Sequence, residues 1–167
     1  FNQLHIDVLT QKNRRYRGHL IPQTLALSGF ASMLPLHTQR ILRIAVIPDF
    51  QGQGYGKQLL QYIQQYSKAD FIGASFSAEL SVLRFWQSLD IHVVRLGVHK
   101  EPSTAQYACV VLKPLCDQYA ELYGSIRQAY IENIPYQLLC LHNDISPSLA
   151  MALLQNMPYV LNNYDVE

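Results

Sequence analysis

The sequence predicts an α/β protein, with a mixed sheet, helices packed on it and a helical appendage behind. Three observations carry this. From Ile41 onward, apolar runs and helical spacings follow the order strand, helix, strand, helix, strand, strand. A glycine-rich turn joins the longest apolar run to the first amphipathic helix. Composition then shifts after Lys113-Pro114.

Each element has its own reason. Leu4, Ile6 and Val8 alternate with polar residues and predict a short strand. Arg14 to Gly18 reads as a polar connection. His19 to Ser28 predicts a helix with Leu20, Thr24 and Leu27 near one face, limited at its start by Pro22 and ended by Ser28-Gly29. The β-branched run Ile41 to Ile47 predicts a strand buried on both faces, stopped by Pro48. Leu59, Leu60, Ile63 and Tyr66 recur at helical spacing up to about Ser67. Phe71 to Phe76 is the next strand, and Glu79 to Leu89 the next helix. Ile91 to Leu96 and Gln106 to Leu112 are further strands, with His99 to Ser103 in the loop between them. Tyr119, Leu122, Tyr123, Ile126 and Tyr130 mark a helix that Pro135 is expected to break. Ser146-Pro147-Ser148 predicts another helix start. The domain reading is 1–113, then a helical tail over 114–167.

Composition bounds the function. The chain has 167 residues, 49% hydrophobic and 15% charged, which suits one packed domain, or one with a small appendage. No apolar run reaches the ~18 residues of a membrane span. The start, Phe1-Asn2-Gln3-Leu4, has no Met and no secretory pattern, and reads as a fragment or trimmed product. The net charge of +1 gives no strong global case for nucleic acid. The local run Lys12, Arg14, Arg15 and Arg17 reads as a solvated segment or a phosphate-contacting strip. Cys109, Cys116 and Cys140 show no C-x-x-C spacing, so reduced cytoplasmic thiols are expected. The six histidines form no ligand cluster, and no metal is expected.

The glycine turn carries the chemistry. The first N–H groups of a helix have no internal partner, and its dipole adds positive charge at that end. Glycines let the backbone approach a phosphate. Gln51-Gly52-Gln53-Gly54-Tyr55-Gly56 fails the P-loop spacing and places its third glycine one residue early for a dinucleotide fingerprint. It fits [Q/R]-x-x-G-x-[G/A] fully, with Lys57 adding charge in the first turn.

That motif, led by Arg43-Ile44-Ala45-Val46-Ile47-Pro48, resembles the pyrophosphate-binding motif of the GNAT acetyltransferases. Further blocks are Arg17 to Gln23, Arg40 to Pro48, Ser75-Phe76, Leu83-Arg84-Phe85-Trp86-Gln87, Val94-Arg95-Leu96-Gly97 and His99-Lys100-Glu101-Pro102-Ser103. In this order they resemble the acetyltransferase region of the bacterial tRNA(Met) cytidine acetyltransferases, over about residues 15–115. The resemblance implies the GNAT acyl-CoA N-acyltransferase fold, incomplete in its N-terminal strands. It implies an RNA-binding enzyme that moves acetyl from acetyl-CoA to the N4 amine of the wobble cytidine of elongator tRNA(Met), giving N4-acetylcytidine. It implies acetyl-CoA along Ile44, Ala45 and Val46 and over Gln51 to Lys57. It also implies a longer polypeptide with an ATP-driven, helicase-like module, which nothing in this chain matches. Ser81 and Ser88 stand where family members often carry an acidic residue and an Arg.

GNAT transfer is direct attack on the thioester, so the cysteines are not needed as nucleophiles; Cys109 reads as a buried, inert thiol. The N–H of Val46 is the candidate oxyanion donor. Trp86 occupies the position of the phenol that many GNAT enzymes use, and reads as packing against core or pantetheine. His99 and Glu101 are the candidate bases, with a backbone-bonded loop histidine the alternative for His99, and Lys100 a candidate phosphate contact. Two other functions stay open: a GNAT enzyme for a small amine or protein N-terminus, and a non-catalytic GNAT-like binding module.

Overall fold

The structure is a computed structural model that describes Asp7 and residues 19–155. The expected strand at Leu4 to Val8, the basic run Lys12 to Arg17 and the last twelve or so residues of the tail lie outside the described residues. The elements are α1 (Leu20–Ala26), β1 (Thr38–Ile41), α2 (Tyr55–Tyr66), β2 (Phe71–Ser77), α3 (Leu80–Gln87), β3 (His92–Lys100), β4 (Tyr107–Pro114), α4 (Ala120–Cys140) and α5 (Pro147–Leu153).

The four described strands form one mixed sheet in the order β1-β2-β4-β3. β1 runs parallel to β2 through a crossover containing α2, whereas β2/β4 and β3/β4 are antiparallel. The predicted α/β architecture and element order are borne out. Alternate side chains of the inner strands feed two cores, as a pleated strand requires. Ile72, Ala74, Val93, Cys109 and Val111 face one core, with Leu60 of α2, Leu83 and Trp86 of α3 and Leu153 of α5. Phe71, Val94, Val110 and Leu112 face the other, with Ile21 and Leu25 of α1 and Ile126 of α4. β2 and β4 approach so closely at Gly73 that an added Cβ would lie 2.5 Å from the Val111 carbonyl oxygen.

Helix α4 belongs to both cores, because Ile126 enters the second and Tyr130 and Ile134 the first. It crosses the sheet at the β3 edge, where the Arg127 guanidinium donates to the Val93 carbonyl. An edge strand's free carbonyls are otherwise a template for unwanted pairing.

Four sequence readings need correction. Pro135 does not break the helix, which runs on to Cys140. Proline removes one backbone bond there, but the flanking Ile134 is fully buried and Leu138 packs on the same core. The buried face of α1 is Ile21 and Leu25, while Leu27 is exposed. His99 and Lys100 lie on β3, which carries register shifts between Val93 and Arg95 and between Leu96 and Lys100. The fourth correction shapes the site. The strand expected over Ile41 to Ile47 ends at Ile41, and Leu42 and Ile47 are 74% and 67% exposed. The β-branched run is there, but among the described residues no strand pairs with it beyond Ile41.

Candidate functional site

The site begins where β1 and β2 part. Ile41 pairs with Ala74 in the last register of β1, yet β2 continues to Ser77. Residues 42–47 therefore leave the sheet, with no strand partner among the described residues. They alternate, with Ile44 and Val46 half-buried and their neighbours exposed. A 3₁₀ turn, Pro48–Phe50, then leads into the glycine turn.

Two glutamines brace that turn from within. Gln51 Nε2 donates to the Val46 carbonyl at 2.9 Å, and Gln53 Nε2 donates to the Asp49 carbonyl at 3.0 Å. Gly52 and Gly54 have φ of 73° and 86°, a left-handed backbone that strains other residues. Gly54 is the N-cap of α2, and no side chain caps the helix. The first bond from below is Gln58 N–H to Gly54 O, so the amides of the first turn stay open to an anion.

Beside this helix start lies a cleft of about 530 Å³, lined by Ile44, Ala45, Val46, Gln51, Gly56, Ser81, Val82, Phe85 and Trp86. That volume falls within the roughly 300–1,000 Å³ of small-molecule sites. Gly56 sets its floor: a Cβ there would stand 3.3 Å from Phe85 Cε2 and 3.6 Å from Val46 Cγ2. Trp86 is 3% exposed, stacks on Phe76 at 6.3 Å and meets Phe85 edge-on at 5.5 Å. The indole thus serves the core and the cleft wall at once.

A family profile, GNAT acetyltransferase 2, matches residues 2–71, the stretch that runs through the parted strand and the glycine turn. The chain carries a GNAT acetyltransferase segment. It is 37% identical over 145 residues to the tRNA(Met) cytidine acetyltransferase TmcA of Nitrosococcus halophilus, covering 84% of this chain and 19% of that protein. It is 31% identical over 128 residues to the Haemophilus influenzae TmcA, with 76% and 19% covered. With the Methanopyrus kandleri TmcA it shares 27% identity over 157 residues, covering 90% and 18%. The chain thus spans about a fifth of the length of the curated relatives it matches.

Within the GNAT segment, the cleft brings together Ile44, Ala45, Val46, Gln51 and Gly56. Gly52, Gln53, Gly54, Tyr55 and Lys57 stand outside its walls, exposed along the turn and first helical turn. Tyr55 meets Phe50 edge-on at 5.9 Å. Ser81 lines the cleft and donates to Glu79 Oε1 at 2.7 Å, which places a carboxylate one hydroxyl away from it. Ser88 is turned back, donating to the Phe85 carbonyl at 2.7 Å.

The two candidate bases do not line the cleft. His99 is exposed within the irregular stretch of β3, the strand at the opposite edge from β1. Glu101 is nearer: its Oε2 lies 3.5 Å from Ser77 Oγ, at the end of β2 where β1 has departed. Lys100 is tied elsewhere, in an ion pair with Asp144. Cys109 is fully buried, and burial pushes its thiol up to about 12, which leaves it unreactive. No helix of the described residues is long and apolar enough to cross a membrane.

Sequence reasoning missed Val82 and Phe85 as wall residues. The signal was the helical spacing of Ser81, Val82, Phe85 and Trp86, which share one face of α3.

Proposed function

We propose that this chain is the acetyl-transferring part of a longer cytoplasmic enzyme, carrying a helicase-like module, that acetylates the N4 amine of the wobble cytidine of elongator tRNA(Met). The observation that carries the reading is the cleft between residues 44–46 and α3, opening beside an uncapped, glycine-led helix. Its parts suit an acyl-CoA: open amides for the diphosphate, and a largely apolar cleft floored by Gly56 for the pantetheine arm. Bound acetyl-CoA supplies the activated acyl group. The names of the relatives support the tRNA substrate.

The roles of the chain's own residues follow. The amine forms a bond to the thioester carbonyl carbon, the C–S bond breaks, and the thiolate departs. In this reading the N–H of Val46 stabilises charge on the carbonyl oxygen. Cytosine's amine is a weak nucleophile, so its proton must be taken as the bond forms. Glu101, whose carboxylate contacts Ser77 at the end of β2, is the base this reading favours over His99.

The test compares labelled acetyl transfer to elongator tRNA(Met), to simple amines and to peptide N-termini. Transfer to the tRNA alone supports the proposal, and transfer only to amines or peptides rejects the RNA substrate. A folded chain that fails to bind acetyl-CoA in calorimetry rejects the enzyme reading itself.

A further inference from the structure

A second recess lies away from the cleft, at the β3 edge, where α1 and α4 meet the sheet. Its walls include Leu25, Phe30, Arg95, Tyr130, Asn133 and Gln137. Arg95 belongs to the Val94-Arg95-Leu96-Gly97 block, for which the acetyl-transfer chemistry gives no role.

Arg95 is unusual in its isolation. It is half-buried, yet its guanidinium has no hydrogen bond and no ion pair with any described residue. Among the described residues, no Asp or Glu lines the recess. Burial alone acts on it, lowering its pKa with no carboxylate to compensate. Across the recess, the buried Oε1 of Gln137 also lacks a partner. Amide O and N positions are assigned rather than seen, and rotating this amide would turn its NH₂ into the recess. A second cation stands behind the wall, with Arg127 5.4 Å from the centre of the Tyr130 ring.

A buried amide oxygen without a partner and a half-buried, unpaired guanidinium are both costly. Guanidinium is the side chain best matched to a tetrahedral oxyanion. The recess is about 110 Å³, the space of a few waters at roughly 30 Å³ each. That admits one oxyanion.

We propose that this recess is a phosphate site separate from the acetyl-CoA cleft, with Arg95 as its anchor and the Gln137 amide as a second donor. The phosphate is either free or one group of an RNA backbone; the second source rests on the proposed RNA substrate, and the first does not.

The test uses inorganic phosphate, followed by calorimetry at constant ionic strength, and separately a cytidine-free RNA oligonucleotide that cannot be acetylated. The wild type is expected to bind phosphate saturably. Arg95→Gln is expected to weaken that binding at least tenfold, Arg95→Lys to keep part of it, and Gln137→Leu to weaken it severalfold. Acetyl-CoA affinity is expected to stay unchanged in all three, with melting temperatures checking that each variant folds. If the source is RNA, Arg95→Gln also lowers oligonucleotide affinity and reduces the slope of log K against log salt by about 0.7, the share of one phosphate. Unchanged oligonucleotide binding with lost phosphate binding assigns the site to the free anion. The proposal is overturned if the wild type shows no saturable phosphate binding, or if Arg95→Gln binds phosphate as tightly as the wild type. Because no readout needs acetyl transfer, it survives or fails independently of the acceptor.

Discussion

An inner strand of the sheet and the run that leaves its edge use similar sequences to opposite effect. Cys109 to Leu112 is an apolar run on β4, flanked by β2 and β3, and every side chain in it is at most 5% exposed. Ile41 to Ile47 is as apolar and as β-branched, yet beyond Ile41 it leaves the sheet and half of it faces solvent. The difference lies in neighbours rather than composition. A strand with partners on both sides buries both faces. A run that parts from its described partner after one register becomes a wall. The packed half supplies stability, and the parted half supplies the cleft and the open amides. If that division is right, substitutions in the two halves should separate stability from ligand binding.

The largest effect is expected in the packed half. Gly73→Ala sets a Cβ against the Val111 carbonyl oxygen, a backbone atom that cannot move without breaking the β2/β4 ladder. A loss of about 3 kcal/mol or more is expected in urea unfolding, at the upper end of overpacking penalties. A loss under about 1 kcal/mol would mean that the two strands tolerate spreading, and that the packed half is not rigid.

In the parted half, Gly56→Val fills the cleft floor against Phe85 and Val46. Acetyl-CoA affinity should fall at least tenfold, about 1.4 kcal/mol, while stability changes little, because the side chain enters a cleft rather than a core. Unchanged affinity would remove this cleft as the cofactor site.

What was legible in the sequence follows the same division. Gln51 to Gly56 announced an anion-binding helix start because the need for positive φ and close approach is local, and the structure puts Gly52 and Gly54 at positive φ. Helices and strands with a one-sided or two-sided apolar pattern were legible for the same reason. The fate of Leu42 to Ile47 was not, because it depends on whether another strand is there to pair, which periodicity does not report. Pro135 misled because the burial of Ile134 and Leu138 is a tertiary fact. Glu101 and His99 are two residues apart in sequence, but only Glu101 contacts β2, at Ser77.

The tail offers a smaller effect that sharpens the comparison by pH. The loop between α4 and α5 buries His142, 2% exposed, with its ring edge-on to Tyr107 at 4.1 Å and no hydrogen-bond partner on either nitrogen. Burial lowers its pKa below the ordinary 6.5, although nearby Asp144 pulls the other way. The unfolded chain therefore takes up the proton first. Stability from this site is complete above pH 6.5 and is lost as pH falls from there through the lowered folded value. In urea unfolding at pH 7.5 and 5.5, the wild type should lose more stability than His142→Phe, which keeps a ring against Tyr107. Equal losses would show that His142 ionises in place.

The smallest effect tests the division at its weakest point. Leu42 and Leu112 are both apolar residues of apolar runs, 74% and 0% exposed. Leu112→Ala should cost about 2–5 kcal/mol through lost transfer and a residual cavity. Leu42→Ser should stay within about 0.5 kcal/mol, as an exposed position does, because in this chain the side chain has already failed to leave water. The two are measured in the same unfolding series, so differences in the unfolded state largely cancel. A cost above about 1 kcal/mol for Leu42→Ser would mean that this run is covered in solution, and the contrast between the inner strand and the departing run would then have to be redrawn around whatever covers it.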